Sequence, residues 1–470
     1  MPFQVKIQNL GKLADAEIRI GNFTVFAGKN NTGKSFVSKA LYSLFGAMNA
    51  NHLEVSVAQR IRVLDRTLRR MNREEGFESD ALIAMIAQIE NLQKIIKPTS
   101  GNMDEFDFIE QTAPKIYEIL DLIQNTFLSL QKDAGSFLES AVSANDSGEP
   151  VYNSIFNYNE VEAVKQGINE LLDLKNWKTE DFIGNGLEHE INQNLIDNFQ
   201  VTHLFDLCRY GSETIKFDIA EIGNITIHSN VEFSINRVGL HKLQEYSSVL
   251  YLESPVFWRL RDALENIRNT HSVLWMGRER LTGVPKYVYD IYDKLRERYK
   301  GDPICPDILE RLTGKEVLGG KIAVGEQGNL FFQEEGTNYS LPLDRAAMGI
   351  ANLGMLALLI ERNLLDKNTF LFIDEPEAHL HPAWQVEMAE SLFALAKAGV
   401  HVVIATHSAE ILKWLEVHIK DNPEAEKITA LNHFRPDGKV TSNSAPFQER
   451  LDAVQEELAG PYYKLYYKGL

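Results

Sequence analysis

The alternation of apolar and polar positions lays out the first elements. Phe3, Val5 and Ile7 alternate with polar residues, and Ala14, Ala16, Ile18 and Ile20 do the same. That period of two predicts two strands with one buried face each. Phe23 to Ala27 is a short, mostly apolar run, with Gly11 and Gly21–Asn22 marking the turns before it. A helical pattern follows from Lys34 to about Met48. Between 51 and 200 the period changes. Leu82, Met85, Ile86, Ile89, Leu92 and Ile96, then Ile116, Ile119, Ile123, Phe127 and Leu130, recur at three- and four-residue spacing. This predicts several amphipathic helices, with loops near 98–105 and 145–152. No heptad array runs unbroken, which argues against a long coiled-coil arm.

Strand patterns return at Ile215–Ile219, Ile225–Ile227, Val231–Ile235 and Val249–Leu252, and 256–300 reads as helical. Lys321–Val324 and Leu330–Phe332 predict a hairpin, and a helix is expected over about 346–363. Phe370–Ile373 and Val400–Ala405 are apolar runs separated by a helical stretch from Pro382 to Ala398. A strand–helix–strand unit of this kind belongs to a parallel sheet. The tail after 420 is polar and then rich in tyrosine.

Charge and composition narrow the partners. The 470 residues carry 48 Lys and Arg against 66 Asp and Glu, a net charge of −18. A general nucleic-acid coat is unfavourable for so acidic a chain. Cys208 and Cys305 are the only cysteines, too few for a disulfide framework, which fits a reducing cytoplasm. The start has no apolar core of a signal peptide, and the most apolar run, Leu353 to Ile360, is far short of a membrane span. A soluble cytoplasmic protein is the expectation.

Gly28-Lys29-Asn30-Asn31-Thr32-Gly33-Lys34-Ser35 matches the phosphate-loop pattern G-x-x-x-x-G-K-[ST], after a strand and opening a helix. Gly28, Asn30, Asn31, Thr32 and Gly33 are expected to wrap backbone N–H groups around phosphates, helped by the helix N-terminus. Lys34 would reach the β- and γ-phosphates of ATP, and the Ser35 hydroxyl would ligate Mg²⁺. The apolar run at 370–373 ends in Asp374 and Glu375. Asp374 is placed to hold Mg²⁺ through water, and Glu375 to polarise the attacking water. Ile404-Ala405-Thr406-His407-Ser408 closes the second apolar run, and His407 is expected beside the γ-phosphate as a hydrogen-bonding sensor. A metal site built from His379, His381 and His407 is disfavoured, because no cysteine or second carboxylate cluster completes it.

Together GKNNTGKS, LFIDEPEAHLHP and ATHS resemble the ABC-type ATPase heads of the SMC and OLD (overcoming lysogenization defect) superfamily. The DEPE-x-x-LHP form looks more like the OLD-like and AAA-family defence ATPases than like transporter ATPases, and resembles the ATPase subunits of antiphage systems such as PARIS and Septu. The resemblance covers about the first 50 residues and 245–415. It implies an α/β fold, a P-loop NTPase head of ABC type with a mixed sheet, interrupted by an α-helical insertion. Residues 1–50 and 211–420 would form the head, 51–210 the insertion and 421–470 a C-terminal extension. It also implies an ATP sandwich of two heads, in a dimer or higher oligomer. The signature loop of one head would meet the γ-phosphate held by the other. The matching stretch here is Asp344-Arg345-Ala346-Ala347-Met348-Gly349. Ala347 stands where the family offers a serine, which leaves the Gly349 N–H and the helix start to bind phosphate and implies slow hydrolysis. Asn352 is a nearby polar candidate, and no glutamine-loop residue is evident.

Two features point to partners. Arg60, Arg62, Arg66, Arg69, Arg70 and Arg73 fall within fourteen residues, a basic stripe for nucleic acid or an acidic partner unless it is a solvated face. Met103-Asp104-Glu105-Phe106-Asp107-Phe108 mixes acids with aromatics and is a docking candidate or an ordinary loop. OLD proteins carry a nuclease domain after the ATPase, whereas 63 residues follow His407 here. The expectation is therefore an ATPase subunit of an antiphage system that senses a phage protein trigger and controls a separate effector. The alternative is a DNA-binding ATPase of repair or maintenance.

Overall fold

The computed structural model describes residues 3–50, 52–74, 80–96, 112–140, 143–144, 150–151, 158–173, 179–228, 230–235, 237–253, 256–258, 260–261, 264, 283–296, 301–325, 328–442 and 445–468. Two compact units emerge: residues 1–49 with 188–470, and residues 50–187. The second closes at Leu187, earlier than the 210 read from the sequence.

The larger unit is organised by one mixed sheet. Its strands are β1 (Phe3–Leu10), β2 (Leu13–Ile20) and β3 (Phe23–Ala27) before the smaller unit, which holds the two-residue pair β4 (Ser143–Ala144) and β5 (Pro150–Val151). After it come β6 (Ile215–Ile219), β7 (Gly223–Ile227), β8 (Val231–Ile235) and β9 (Ser248–Leu252). A separate antiparallel sheet is formed by β10 (Gly320–Val324), β11 (Leu330–Glu334) and β12 (Ser340–Pro342). The main sheet is completed by β13 (Thr369–Asp374), β14 (His401–Thr406), β15 (Thr429–Phe434) and β16 (Lys439–Thr441). Its order is β8-β7-β6-β1-β2-β16-β15-β3-β14-β13-β9.

The two halves of this sheet differ in physics. β15, β3, β14, β13 and β9 are parallel neighbours. Every residue of these five strands is buried. Burial on both faces is why Phe370–Ile373 and His401–Ala405 read as near-continuous apolar runs. β1, β2, β6, β7 and β8 pair antiparallel, and β1 and β2 show the alternation of a strand with one wetter face.

β15 is the strand the sequence concealed. Its TALNHF holds three polar residues, yet it lies directly beside β3. Asn432 behaves like a further piece of backbone: its Oδ1 accepts the Arg19 N–H at 2.9 Å and its Nδ2 donates to the Arg19 carbonyl at 2.9 Å. His433 is met by Glu457 of the C-terminal helix, Nε2 to Oε2 at 2.8 Å. Polar groups satisfied in this way tolerate a buried strand. Residues 421–470 thus supply core strands as well as the final helix, Phe447–Lys468.

The described part of the smaller unit packs the helices His52–Glu74, Asp80–Ile96, Ala113–Ser140 and Tyr158–Leu172. Val57, Ile61, Leu64, Leu68, Leu82, Met85, Ile89, Leu92, Ile116, Leu120, Ile123, Val164 and Ile168 form one buried cluster. Ile86 and Ile119 pack against its margin, while the Leu130 side chain lies outside the described residues. Among the described residues no helix is long and apolar enough to cross a membrane. The 103–108 segment and most of 254–282, within the stretch read as helical, also lie outside the described residues.

Candidate nucleotide site

β3 delivers the chain to the phosphate loop, and the loop's glycines are demanded by space and torsion. Gly28 has φ +153°, and a Cβ there would sit 2.2 Å from the Phe434 carbonyl oxygen of β15. Gly33 has φ +98°, and Asn31 adopts the left-handed region at φ +64°. Lys29, Asn30 and Asn31 are exposed at the tip, whereas Thr32 is buried and donates from Oγ1 to the Lys29 carbonyl at 2.9 Å. Lys34, 6% exposed, folds its ammonium into the loop and donates to the carbonyls of Gly28 (2.9 Å) and Lys29 (2.7 Å). Burial pushes the Lys34 ammonium below its ordinary value, opposed by Asp374, Glu375, Glu377 and Glu457.

The helix Lys34–Asn49 and β13 meet at Ser35, whose Oγ donates to Asp374 Oδ1 at 2.9 Å. Asp374 is 8% exposed, and burial pushes its carboxyl up to about 6, with Glu253 and Glu375 adding to the rise and Ser35 and Lys39 opposing it. β14 lies between β3 and β13, pairing Thr406 with Ala27 and Ala405 with Asp374. That places His407 just past the strand ends. His407 Nδ1 is 3.3 Å from Glu375 Oε1 and 3.4 Å from Glu377 Oε1. Glu375 has φ +52°, an uncommon torsion for a non-glycine residue, pinned by its N–H to the Ala405 carbonyl at 2.8 Å. Its carboxylate remains 47% exposed and open to water. Ser35 Oγ and the Asp374 carboxylate form a hard oxygen pair that fits Mg²⁺, which takes few protein ligands and keeps phosphate oxygens and waters.

A family model described as AAA ATPase domain matches residues 3–412. The chain belongs to that family. It is an α/β P-loop ATPase with a mixed sheet and an α-helical insertion. Over 45 residues the chain is 51% identical to the Old nuclease of Escherichia phage P2, a match covering 10% of this chain and 8% of the nuclease. The chain thus aligns with a small part of that relative's length. Among solved structures it is similar to an Smc head bound to the C-terminal winged-helix domain of ScpA, at TM-score 0.40 and 10% identity over 96% of this chain and 98% of that one. The SMC head domain from Thermotoga maritima has TM-score 0.27 and 13% identity over 56% and 87%. These likenesses are loose, and the family rests on the sequence match.

Several groups at this ATPase site escaped the sequence reading. Ile373 pairs with Leu252, so Asp374 and Glu253 leave neighbouring parallel strands side by side. Glu253 Oε1 is 2.8 Å from the Lys39 ammonium, one helical turn beyond Ser35, and Tyr287 donates its hydroxyl to Glu253 Oε2. The signal was present: VLYLE ends an apolar run in a carboxylate, as LFID does. Glu377, buried beneath His407, is another.

The signature-like stretch is built into the same head. Ala347 is the exposed N-cap of the helix Met348–Glu361 and gives it no side-chain capping bond. Gly349 is buried, and a Cβ there would lie 3.1 Å from the His379 carbonyl oxygen and 3.2 Å from the Trp384 ring. Asn352 donates from Nδ2 to the carbonyls of Pro376 (3.1 Å) and Ala378 (3.0 Å), which ties this helix to the segment after Glu375. His381 caps the helix Pro382–Lys397, accepting the Ala383 N–H. Among the described residues no three His, Cys, Asp or Glu side chains are grouped to hold a metal ion. In the insertion, Arg62, Arg66 and Arg70 are exposed and Arg60 is half-buried. Arg69 binds Asp65 at 2.9 Å and Glu90 at 2.8 Å, while the Arg73 side chain lies outside the described residues.

Proposed function

We propose that this chain binds Mg–ATP, assembles through its heads, and hydrolyses ATP slowly, as the cytoplasmic subunit that controls a separate effector in a prokaryotic antiphage system. The observation that carries the nucleotide reading is the convergence of Lys34, Ser35, Asp374, Glu375 and His407 at the ends of three adjacent parallel strands. In this reading the loop N–H groups and Lys34 bind the phosphates, and Ser35 and Asp374 would hold Mg²⁺, which would supply positive charge to offset that of the phosphates. Glu375, exposed and oriented by His407, takes a proton from the attacking water, and His407 contacts the γ-phosphate. Ala347 brings no hydroxyl to the signature position, which supports slow turnover in an ATP sandwich.

The defence reading is supported by the DEPEAHLHP segment and by the likeness, over 45 residues, to a phage nuclease. A net charge of −18 suits docking of a basic effector. Affinity purification from the native operon, with the mass of the complex measured with and without ATP, tests it. A companion protein and altered phage susceptibility on loss of the chain are expected. Purification of the chain alone, with unchanged susceptibility, contradicts it.

The exposed Arg62, Arg66 and Arg70 favour a second reading, a DNA-maintenance ATPase. It requires salt-sensitive DNA binding that is lost when these arginines become glutamate.

A further inference from the structure

Glu377 stands three residues beyond Asp374 and has no part in the reaction as described above. It is 6% exposed. Its Oε1 accepts the Thr406 hydroxyl at 2.7 Å and the His407 backbone N–H at 2.9 Å, and faces His407 Nδ1. Thr406 Oγ1 in turn accepts the Ser408 N–H at 3.0 Å. Ser408 caps the helix Ala409–Asp421 and donates its hydroxyl to Gln385 at 2.7 Å. One carboxylate oxygen therefore organises three consecutive residues where β14 passes into the next helix.

The other oxygen is what makes this node unusual. Glu377 Oε2 is buried without a hydrogen-bond partner. A buried acceptor left unpaired costs about 1–3 kcal/mol, and more when charged. Burial raises this carboxyl above its ordinary value for the same reason. Holding the strand end alone needs one acceptor oxygen, which a less costly side chain provides. Groups held at such expense cluster where function needs them. The atom that distinguishes Glu377 from a simple clamp is the imidazole it faces.

We propose that Glu377 is the positioning residue of His407. By gripping Thr406 Oγ1 and the His407 N–H while facing Nδ1, it fixes the ring so that Nδ1 meets the carboxylates and Nε2 is left for the phosphate. The role rests on the reading of His407 as a γ-phosphate contact, and acts through His407 rather than on substrate.

A double-mutant cycle tests it. Glu377→Ala lowers kcat by about tenfold to a hundredfold, the scale of a misplacement of about 1 Å, with the Kd for a fluorescent ATP analogue changed less than about threefold. Glu377→Gln, which keeps an acceptor oxygen, recovers most of kcat. Glu377→Ala combined with His407→Ala is no slower than His407→Ala alone, because one residue acts through the other. Losses that multiply, or nucleotide affinity that falls as much as kcat, overturn the proposal. The ¹⁵N signals of the His407 ring in nucleotide-free protein, assigned by their loss in His407→Gln, supply a readout independent of turnover. They move in both Glu377 variants. Signals that stay in place in the folded Gln variant overturn the proposal whether or not the chain hydrolyses ATP. A wild-type chain that binds no nucleotide counts instead against the nucleotide reading.

Discussion

Asp374→Asn separates the stability of the nucleotide site from its function. The carboxyl sits at about 6 in the fold against an ordinary 3.8. The folded state therefore holds the proton more tightly than the unfolded one. The stabilising contribution is complete below about pH 3.8 and is lost as pH rises through about 6. At about 1.4 kcal/mol per pH unit, the ionised carboxylate costs the nucleotide-free fold roughly 3 kcal/mol above pH 6. Asparagine keeps an oxygen for the Ser35 hydroxyl and removes the charge beside Glu253 and Glu375. In thermal melts without nucleotide or metal, Asp374→Asn is expected to unfold several degrees above wild type at pH 8. The gain shrinks to about half at pH 5. Added Mg–ATP reverses the ranking, because it stabilises only a chain that binds it. A wild-type–variant difference that is flat from pH 5 to pH 8, or an asparagine variant less stable at pH 8, refutes the assigned burial of the charge.

Three further outcomes follow from contacts in the structure. Gly28→Ala forces a Cβ to 2.2 Å from the Phe434 oxygen, and should cost more than about 2 kcal/mol in chemical denaturation while abolishing binding of a fluorescent nucleotide. Lys39→Met removes the partner of Glu253 and a charge that keeps Asp374 ionised, so the Mg²⁺ concentration for half-maximal ATPase should rise several-fold in a metal titration. Leu120→Ala, in the fully buried core of the insertion, should cost about 2–5 kcal/mol there, visible as faster hydrogen exchange in 50–187, with nucleotide binding by the head preserved.

What the sequence revealed was what is periodic or stereotyped. The loop Gly28–Ser35, the fully buried β13 and β14, and the helices of the insertion all announce themselves through patterns that burial requires. The exceptions were decided by pairings that no pattern shows. β15 is buried because Asn432 and His433 find partners 413 and 24 residues away. Glu253 joins the site only because register sets it beside Asp374. Glu377 reads as one more acid in DEPE until the fold buries it under His407. The Arg69 end of the basic stripe is likewise spent on Asp65 and Glu90.

The central claim is that Lys34 binds the phosphates and Glu375 drives their hydrolysis. Nucleotide binding and single-turnover cleavage of radiolabelled ATP, measured together on wild type, Lys34→Ala and Glu375→Gln, test it most directly. The wild-type chain should bind and slowly cleave, Lys34→Ala should do neither, and Glu375→Gln should bind as tightly as wild type and hold uncleaved ATP. A Glu375→Gln chain that cleaves at the wild-type rate contradicts the account.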